Sequence, residues 1–352
     1  MRHVTLSQVA QRAGVSLATA SRVLNGSDRT PAEDIAARVR SAAAELGYVA
    51  NAQAQALARA RTGLVGLVVH DIADPYFSAI ARGVQDVAHE NGRQLLLAAA
   101  SPGGDDVREA VAAFAAHRTE AVIIAGSAPV EIPESLRLLA ERYRSDGGRL
   151  VTVGRHWLEA TGAVELDNTD SSERLVATLA ASGARRFAYL GGPTDLATAA
   201  DRLTGYRRGI AATGTDSVYE TAQPFTSAGG RAGMEEILAH CPDAATGLTI
   251  LAANDVMALG ALGALRDAGH AIPGPIHVAG CDDIPTLADI SPALTTIRYP
   301  LERIGRETAR IALDPEAEPR LLLRGEVVLR ETTAAGPPRG GDAASVNAAE
   351  GA

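Results

Sequence analysis

From Gly63 onward the chain alternates short apolar runs with amphipathic helical stretches, and this alternation limits the fold more than any other feature. GLVGLVVHDI is followed by a helical pattern at Phe77 to Glu90, then RQLLLAAA, a helical pattern near Val107 to Ala116, EAVIIAG, a further helix and RLVTVG. A second set begins near Val164. It has helical patterns at Ser171 to Ala181, Leu203 to Ala212, Gly230 to His240 and Val256 to Asp267, with the runs RFAYLGG, TGLTILAAN and IHVAGCDD. Runs that are apolar throughout suit strands buried on both faces, as parallel strands joined through helices are. Two such sets predict two doubly wound parallel sheets, hence two α/β lobes. Ligands of such sheets bind beyond the carboxyl ends of the strands, which places a ligand in the cleft between the lobes. The last part, PALTTIRYPLERIGRETARIAL and RLLLRGEVVLRETT, is expected to cross back and complete both lobes.

The head of the chain is different. Leu6 to Ala13 sets Leu6, Val9, Ala10 and Ala13 on one helical face, with Thr5 before it as N-cap. Gly14 stops that helix, because glycine enters the left-handed conformation freely. Ser16 caps a second helix, Leu17 to Leu24, with Ala20, Val23 and Leu24 inward and Leu17, Ala18, Ser21 and Arg22 outward. Asn25-Gly26 ends it. A third helix at about Pro31 to Leu46 closes a small core through Ile35, Val39, Ala42 and Leu46. Two short helices around a glycine turn make a helix-turn-helix unit, and any small three-helix domain is the plain alternative. Leu17 and Ala18 separate the two readings, because neither has a core to fill. Apolar side chains there suit thymine methyls, and Arg22 one turn later suits guanine O6 and N7.

Charge agrees with that division. Residues 1–61 carry eight Arg against four acids, while the whole chain has a net charge of −9. A basic head on an acidic body suits a polyanion at one end only. Cys241 and Cys281 lack metal-ligand spacing and read as buried reduced thiols. No signal-like apolar core and no long apolar span occurs, so a soluble cytoplasmic protein that is not exported is expected.

VTLSQVAQRAGVSLATASRVLNGS resembles the N-terminal signature of the LacI/GalR (lac repressor) family of bacterial transcriptional regulators. The match runs through Val4, Thr5, Leu6, Val9, Ala10, Ala13, Gly14, Val15, Ser16, Thr19, Ser21, Arg22, Val23 and Asn25. Ala20 stands where the family usually has Val, which implies slightly looser packing. The resemblance implies a homodimer on near-palindromic double-stranded operator DNA, with Thr5, Leu6, Ser7, Ser16, Leu17, Ala18, Thr19, Ser21, Arg22 and Asn25 at the interface. After Gly47-Tyr48-Val49-Ala50-Asn51 comes AQAQALARARTG, too short for a stable helix alone and readable as a linker. The resemblance makes it a hinge helix that folds on operator DNA against its dimer mate. Asn51 would cap it, Ala54 would permit close approach, and Leu57 would wedge into the minor groove. Ala50 replaces the Pro common there in the family, which makes hinge ordering less favourable.

The body carries further matches: DPYF (Asp74 to Phe77), RLTGY (Arg202 to Tyr206), AANDVMALGAL (Ala252 to Leu262), GCDD (Gly280 to Asp283) and PALTTI (Pro292 to Ile297). With the head, the resemblance covers roughly residues 1–335. It implies an α/β two-lobed, periplasmic-binding-protein-like core holding a small-molecule effector, a sugar or sugar derivative, with no cofactor. Arg202, Asn254 and Asp282 would form its polar set, since each vicinal diol wants a paired acceptor and donor. Phe225, Tyr76 and Phe77 would be apolar walls, and Arg155 lies at a strand end. Each has an ordinary alternative: a turn cap for Asp282, a surface position for Arg202, a helix cap for Asn254, plain core for the aromatics. The expected division is 1–47 helix-turn-helix domain, 48–61 hinge, 62–336 core and 337–352 disordered tail. Within the core, about 62–158 plus 290–320 form the first lobe and about 159–289 plus 321–336 the second. The tail has no leucine heptads of the kind some family members use for tetramers, which favours a plain dimer.

An enzyme reading rests on Asp282-Asp283 as paired carboxylates and Gly191-Gly192 as a phosphate loop. It is disfavoured, because no His stands beside them as a base, the neighbouring Cys281 reads as a buried thiol, and no P-loop, G-x-S-x-G or H-E-x-x-H occurs. A free solute-binding protein fits the body but leaves the head unused.

Overall fold

A computed structural model describes residues 4–25, 31–48, 62–101, 105–155, 158 and 160–333. They fall into two units, divided between Gly63 and Leu64.

The first unit holds α1 (Leu6–Ala13), α2 (Leu17–Asn25) and α3 (Glu33–Leu46). Thr5 and Gln8 form a reciprocal cap on α1: Thr5 N–H donates to Gln8 Oε1 at 2.8 Å and Gln8 N–H donates to Thr5 Oγ1 at 3.4 Å. Gly14 ends α1 at φ 65°, as the turn requires. Ser16 Oγ accepts Thr19 N–H at 3.1 Å and so caps α2. Val9, Ala10, Ala13, Ala20, Val39, Ala42 and Ala43 make the core. Leu46, expected in it, is half-buried and packs against it, while Ile35, also expected there, is half-buried and lies outside it.

The second unit contains two parallel sheets. The first comprises β1 (Leu64–Val69), β2 (Gln94–Ala99), β3 (Ala121–Ala125), β4 (Arg149–Val153), β5 (Gly162–Leu166) and β11 (Arg320–Leu323), in the order β11-β5-β4-β3-β1-β2. Helices α4 (Pro75–Glu90), α5 (Asp105–Ala116), α6 (Glu134–Ser145) and α11 (Leu301–Leu313) cover it. The second sheet has the order β7-β6-β8-β9, from β6 (Arg186–Gly191), β7 (Asp216–Ala222), β8 (Leu248–Ala252) and β9 (Ile276–Ala279). Its helices are α7 (Asn168–Ala181), α8 (Ala197–Thr213), α9 (Ser227–His240) and α10 (Asp255–Asp267). A two-stranded ladder, β10 (Thr296–Arg298) antiparallel to β12 (Glu326–Val328), joins this second lobe through single bridges, Ala279 to Thr295 and Asp282 to Arg298. The central strands β3 and β8 are buried along their whole length, as their unbroken apolar runs require.

Five elements differ from the sequence reading. β5, expected to open the second lobe, pairs with β4 in the first, so the second lobe begins only at α7. β11 also lies in the first sheet, while β10, assigned to the first lobe, sits with the second. Strand pairing between segments far apart in the chain decides these placements, and local pattern does not carry it. β7 was not expected as a strand. It is a partly exposed sheet edge with the polar sequence DSVYETA, so it lacks an apolar run. α8 begins at Ala197, well before Leu203, because the Ala-rich lead-in continues the helix.

Helices α4 and α11 meet at glycines. A Cβ on Gly83 would lie 2.0 Å from the Glu302 carbonyl oxygen, and one on Gly305 would lie 2.0 Å from that of Ile80. Backbone contact thus sets the helix separation. Gly83→Val should push the helices apart and cost about 1–3 kcal/mol of stability, read as a lower urea midpoint. An unchanged midpoint would show that the contact yields without cost.

Candidate effector cleft and DNA-reading helix

The carboxyl ends of the two sheets face each other. Arg202 stands in the second turn of α8 and is 4% exposed. Its Nε donates to Asn168 Oδ1 at 2.9 Å, Nη1 to the Ala253 carbonyl at 2.5 Å, and Nη2 to Asp282 Oδ1 at 2.6 Å. One guanidinium therefore joins the start of α7, the end of β8 and the loop after β9. Burial works against its charge, but the Asp282 carboxylate, with Cys281 and Tyr299, outweighs that, so Arg202 holds its proton beyond the ordinary arginine range.

Asp282 adopts φ 121° and Asp283 φ 54°, both in the region that side-chain-bearing residues avoid. Such backbone costs roughly 1–3 kcal/mol per residue and persists only where its surroundings over-determine it. Here they do. Asp282 N–H donates to the Ile297 carbonyl at 2.8 Å, and the Asp283 carboxylate is held by Arg298 at 2.6 Å and Arg330 at 2.7 Å. Ile284 N–H donates to Asp255 Oδ2 at 3.0 Å, and Thr296 Oγ1 donates to Asp255 Oδ1 at 2.6 Å. Burial, followed by the charge of Asp282, pushes the Asp255 carboxyl up to about 7, against the hydrogen bonds from Thr296 and Ile284. Asp255 was missed in the sequence, where an acid in the first turn of a helix reads as an ordinary dipole partner.

The other candidates divide. Asn254 caps α10, its Oδ1 accepting Met257 N–H at 3.0 Å, so the cap has engaged its acceptor and its NH2 is the group left to offer a ligand. Phe225 is half-buried over the turn after β6: a Cβ on Gly192 would lie 2.3 Å from its ring. Tyr76 is half-buried; burial first and then the charge of Asp282 push its hydroxyl up, against Arg202. Phe77 corrects the expectation of a second wall. It is buried in the first-lobe core, its ring 5.7 Å from that of His70, and it borders a groove of about 760 Å³ between α4 and β2 rather than the cleft. Arg155 lies at the end of β4 and spans to the other lobe, donating to Asp201 Oδ1 on α8 at 2.6 Å. Beside it Val130 N–H donates to the Asp195 carbonyl at 2.7 Å, Ala197 N–H to that of Ala128 at 2.9 Å, and Thr198 N–H to Ser127 Oγ at 3.0 Å. The lobes are thus bonded along one side of the cleft.

Asp74 is a further cleft residue that sequence reasoning passed over, because an acid before Pro at a helix start reads as an N-cap. It is one: Oδ1 accepts Tyr76 N–H at 2.9 Å. Burial first, then Asp282 and Asp71, raise its carboxyl from 3.8 to about 6, against the Tyr76 N–H and Arg202.

In the head, Leu17 is 53% exposed, and Ala18, Arg22, Thr5, Ser7 and Ser16 are exposed beside it. Thr19 and Ser21 are half-buried, Thr19 bonding Ser16 through its hydroxyl at 2.8 Å. Leu6 is also half-buried and packs on the head's own core. The surface available to DNA is therefore chiefly the start of α2 with Arg22. The Asn25 side chain, Asn51, Ala54 and Leu57 lie outside the described residues, as do Ala50 and the tail.

A helix-turn-helix unit followed by a two-lobed core with a polar site at its strand ends defines a ligand-responsive DNA-binding regulator. Comparison with known proteins narrows the class. Residues 5–51 match the model of bacterial regulatory proteins of the lacI family, and residues 176–333 match the periplasmic binding protein-like domain. The chain is 34% identical to the HTH-type transcriptional regulator CelR of Thermobifida fusca over 344 residues, covering 94% of this chain and 98% of that one. It is 34% identical to the HTH-type transcriptional regulator GalR of Escherichia coli K12 over 313 residues, 88% of each. A CelR–cellobiose complex aligns at TM-score 0.67 and 31% identity over 94% of this chain and all of that one. A lac repressor dimer bound to operator and an anti-inducer aligns at TM-score 0.80 and 25% identity over 95% and all. The chain belongs to the LacI family of transcriptional regulators. No helix among the described residues is long and apolar enough to cross a membrane.

Asp74 gives the cleft a pH signature. Its proton is held more tightly in the folded chain than in the unfolded one, so its contribution to stability is present below 3.8 and lost as pH rises through about 6. Asp74→Asn keeps an N-cap oxygen but removes the charge. The gain in urea midpoint over wild type should grow between about pH 4 and 6 and level off above. An equal difference at pH 4.5 and 7.5 would mean that the carboxyl titrates normally.

Proposed function

We propose that this protein is a homodimeric repressor whose affinity for a near-palindromic operator is set by a carbohydrate held between the lobes. The observation that carries the reading is the buried Arg202–Asp282 pair, 2.6 Å apart, with the Asn254 amide beside it at the ends of three second-lobe elements. A carboxylate accepts two hydroxyl hydrogens while a guanidinium donates to the same hydroxyl oxygens, which is the pairing a vicinal diol offers. Tyr76 and Phe225 supply the apolar faces that a sugar ring also needs. Asp74 and Arg155 reach the site from the first lobe, so a ligand bound to both lobes would bear on their closure. The relatives support the sugar class, one of them having been solved with cellobiose.

The same reading makes the protein a binder and not an enzyme. Asp283 is committed to Arg298 and Arg330, so it cannot pair with Asp282 as a second free carboxylate, and the Gly191-Gly192 turn is covered by Phe225. The head would read bases with Leu17, Ala18 and Arg22 and would act where the chromosome is, in the cytoplasm. Coupling between ligand and operator in such systems is about 1–3 kcal/mol, a severalfold to hundredfold change in affinity.

Two measurements test this. Arg22→Ala should relax base preference at one operator position and cost about 1–3 kcal/mol on the preferred sequence. Equal loss on every sequence would make Arg22 a phosphate contact. In a thermal-shift panel of cellobiose, galactose, ribose and lactose, wild type should be stabilised by at least one sugar, by about 2.7 kcal/mol at a hundred times its dissociation constant. Asp282→Asn should lose that shift and still bind operator. A variant that keeps the shift removes Asp282 from the site.

A further inference from the structure

Among the described residues the chain crosses between the lobes three times: from β5 to α7 at 166–168, from β10 to α11 at 298–301, and from β11 to β12 at 323–326. One nearly buried carboxylate touches all three. Asp167 lies in the first crossing. Its Oδ1 accepts the Gly325 N–H of the third at 2.8 Å and the Tyr299 hydroxyl of the second at 3.4 Å. The same oxygen accepts the Ser171 hydroxyl at 2.5 Å. Oδ2 accepts the Arg174 guanidinium at 2.7 Å, which also donates to the Gly325 carbonyl at 2.9 Å. The Asp167 N–H donates to the Leu323 carbonyl at 3.2 Å.

Packing leaves the crossings little slack. A Cβ on Gly325 would lie 2.4 Å from Ile297 Cγ2 and 3.0 Å from Tyr299 Cζ. Both halves of the buried polar pair are attached to this cluster. Arg202 donates to Asn168, the next residue after Asp167, and Tyr299 N–H donates to the Asp282 carbonyl at 3.3 Å.

We infer that Asp167 is the positioning residue of the lobe hinge, a clamp that makes the three crossings move as one and ties them to the Arg202–Asp282 pair. The functional side of this inference rests on the cleft being the effector site. Turning one lobe against the other shifts the crossings relative to one another and so strains bonds to this one carboxylate. Donors from the fold engage both oxygens of Asp167, so it acts through its neighbours. The position calls for an acid. Both oxygens accept, and an amide would aim an NH2 either at Arg174 or at the Gly325 N–H, donor against donor.

The test is amide hydrogen exchange on the full chain without ligand, read by mass spectrometry. In Asp167→Asn the amides of Arg298, Tyr299, Leu301 and 323–326 should exchange about tenfold faster or more, while β3 and β8 keep wild-type protection. Arg174→Met removes one donor from a side chain that is 43% exposed, spares the fold, and should give the same pattern more weakly. Equal loss of protection in β3 and β8 would show Asp167 to be a general stability residue, and unchanged crossings in both variants would remove it from the hinge. No sugar enters the measurement, so an error in the ligand class leaves the result untouched and shows itself only in the Asp282→Asn comparison.

Discussion

The bond between Arg202 and Asp282 organises the second lobe's half of the cleft. Both groups are almost fully withdrawn from water, where a charge without a partner is costly and a well-bonded pair is tolerated. Each therefore needs the other, and each needs further partners. Arg202 takes Asn168 and the Ala253 carbonyl; Asp282 takes a strained backbone position kept in place by Ile297, and Asp283 and Ile284 hold the chain beyond it. The polar interior of the site is thus held together by the chain's own bonds. A ligand that engages these groups competes with, or adds to, bonds already present, and its binding is felt wherever those bonds lead.

They lead to the crossings. Asn168 follows the first crossing, and Tyr299 stands in the second. On the other side of the cleft, Arg155 with Asp201 and the pairing of 127–130 with 195–198 join the lobes directly. A change at the polar pair has two routes to the lobe angle, one through the hinge and one across the mouth. Asp74, on the first lobe, lies where the like charge of Asp282 acts on it, so the bonds across the cleft are opposed there by a repulsion. A balance of this kind lets a small binding energy shift the arrangement, which is what a regulator needs.

Much of this was legible in the residues. The helix-turn-helix came from local signals that act within one turn: the Thr5 cap, the Gly14 stop, the Ser16 cap and the exposed Leu17. Arg202, Asn254 and Asp282 were legible as polar residues in recognisable motifs, and the fold brings Arg202 and Asp282 into contact. Asp74 and Asp255 were not, because a helix-start acid has a sufficient local explanation, and only the approach of Asp282 gives it a second. Phe77 was misplaced because two adjacent aromatics on a helix point about 100° apart, so only one of them faces the cleft.

The sequence by itself determined the classes of element, the existence of two parallel sheets and a separate head, and the family, since these rest on periodicity, caps and motifs that lie close together in the chain. Only the tertiary structure decided which lobe receives β5, β10 and β11, that β7 forms a sheet edge, and that the carboxylate of Asp167 in the first crossing meets two others more than a hundred residues further along the chain. Those outcomes depend on pairings and close contacts between distant segments, and the local pattern of a strand or a single acid does not record the partner it will meet.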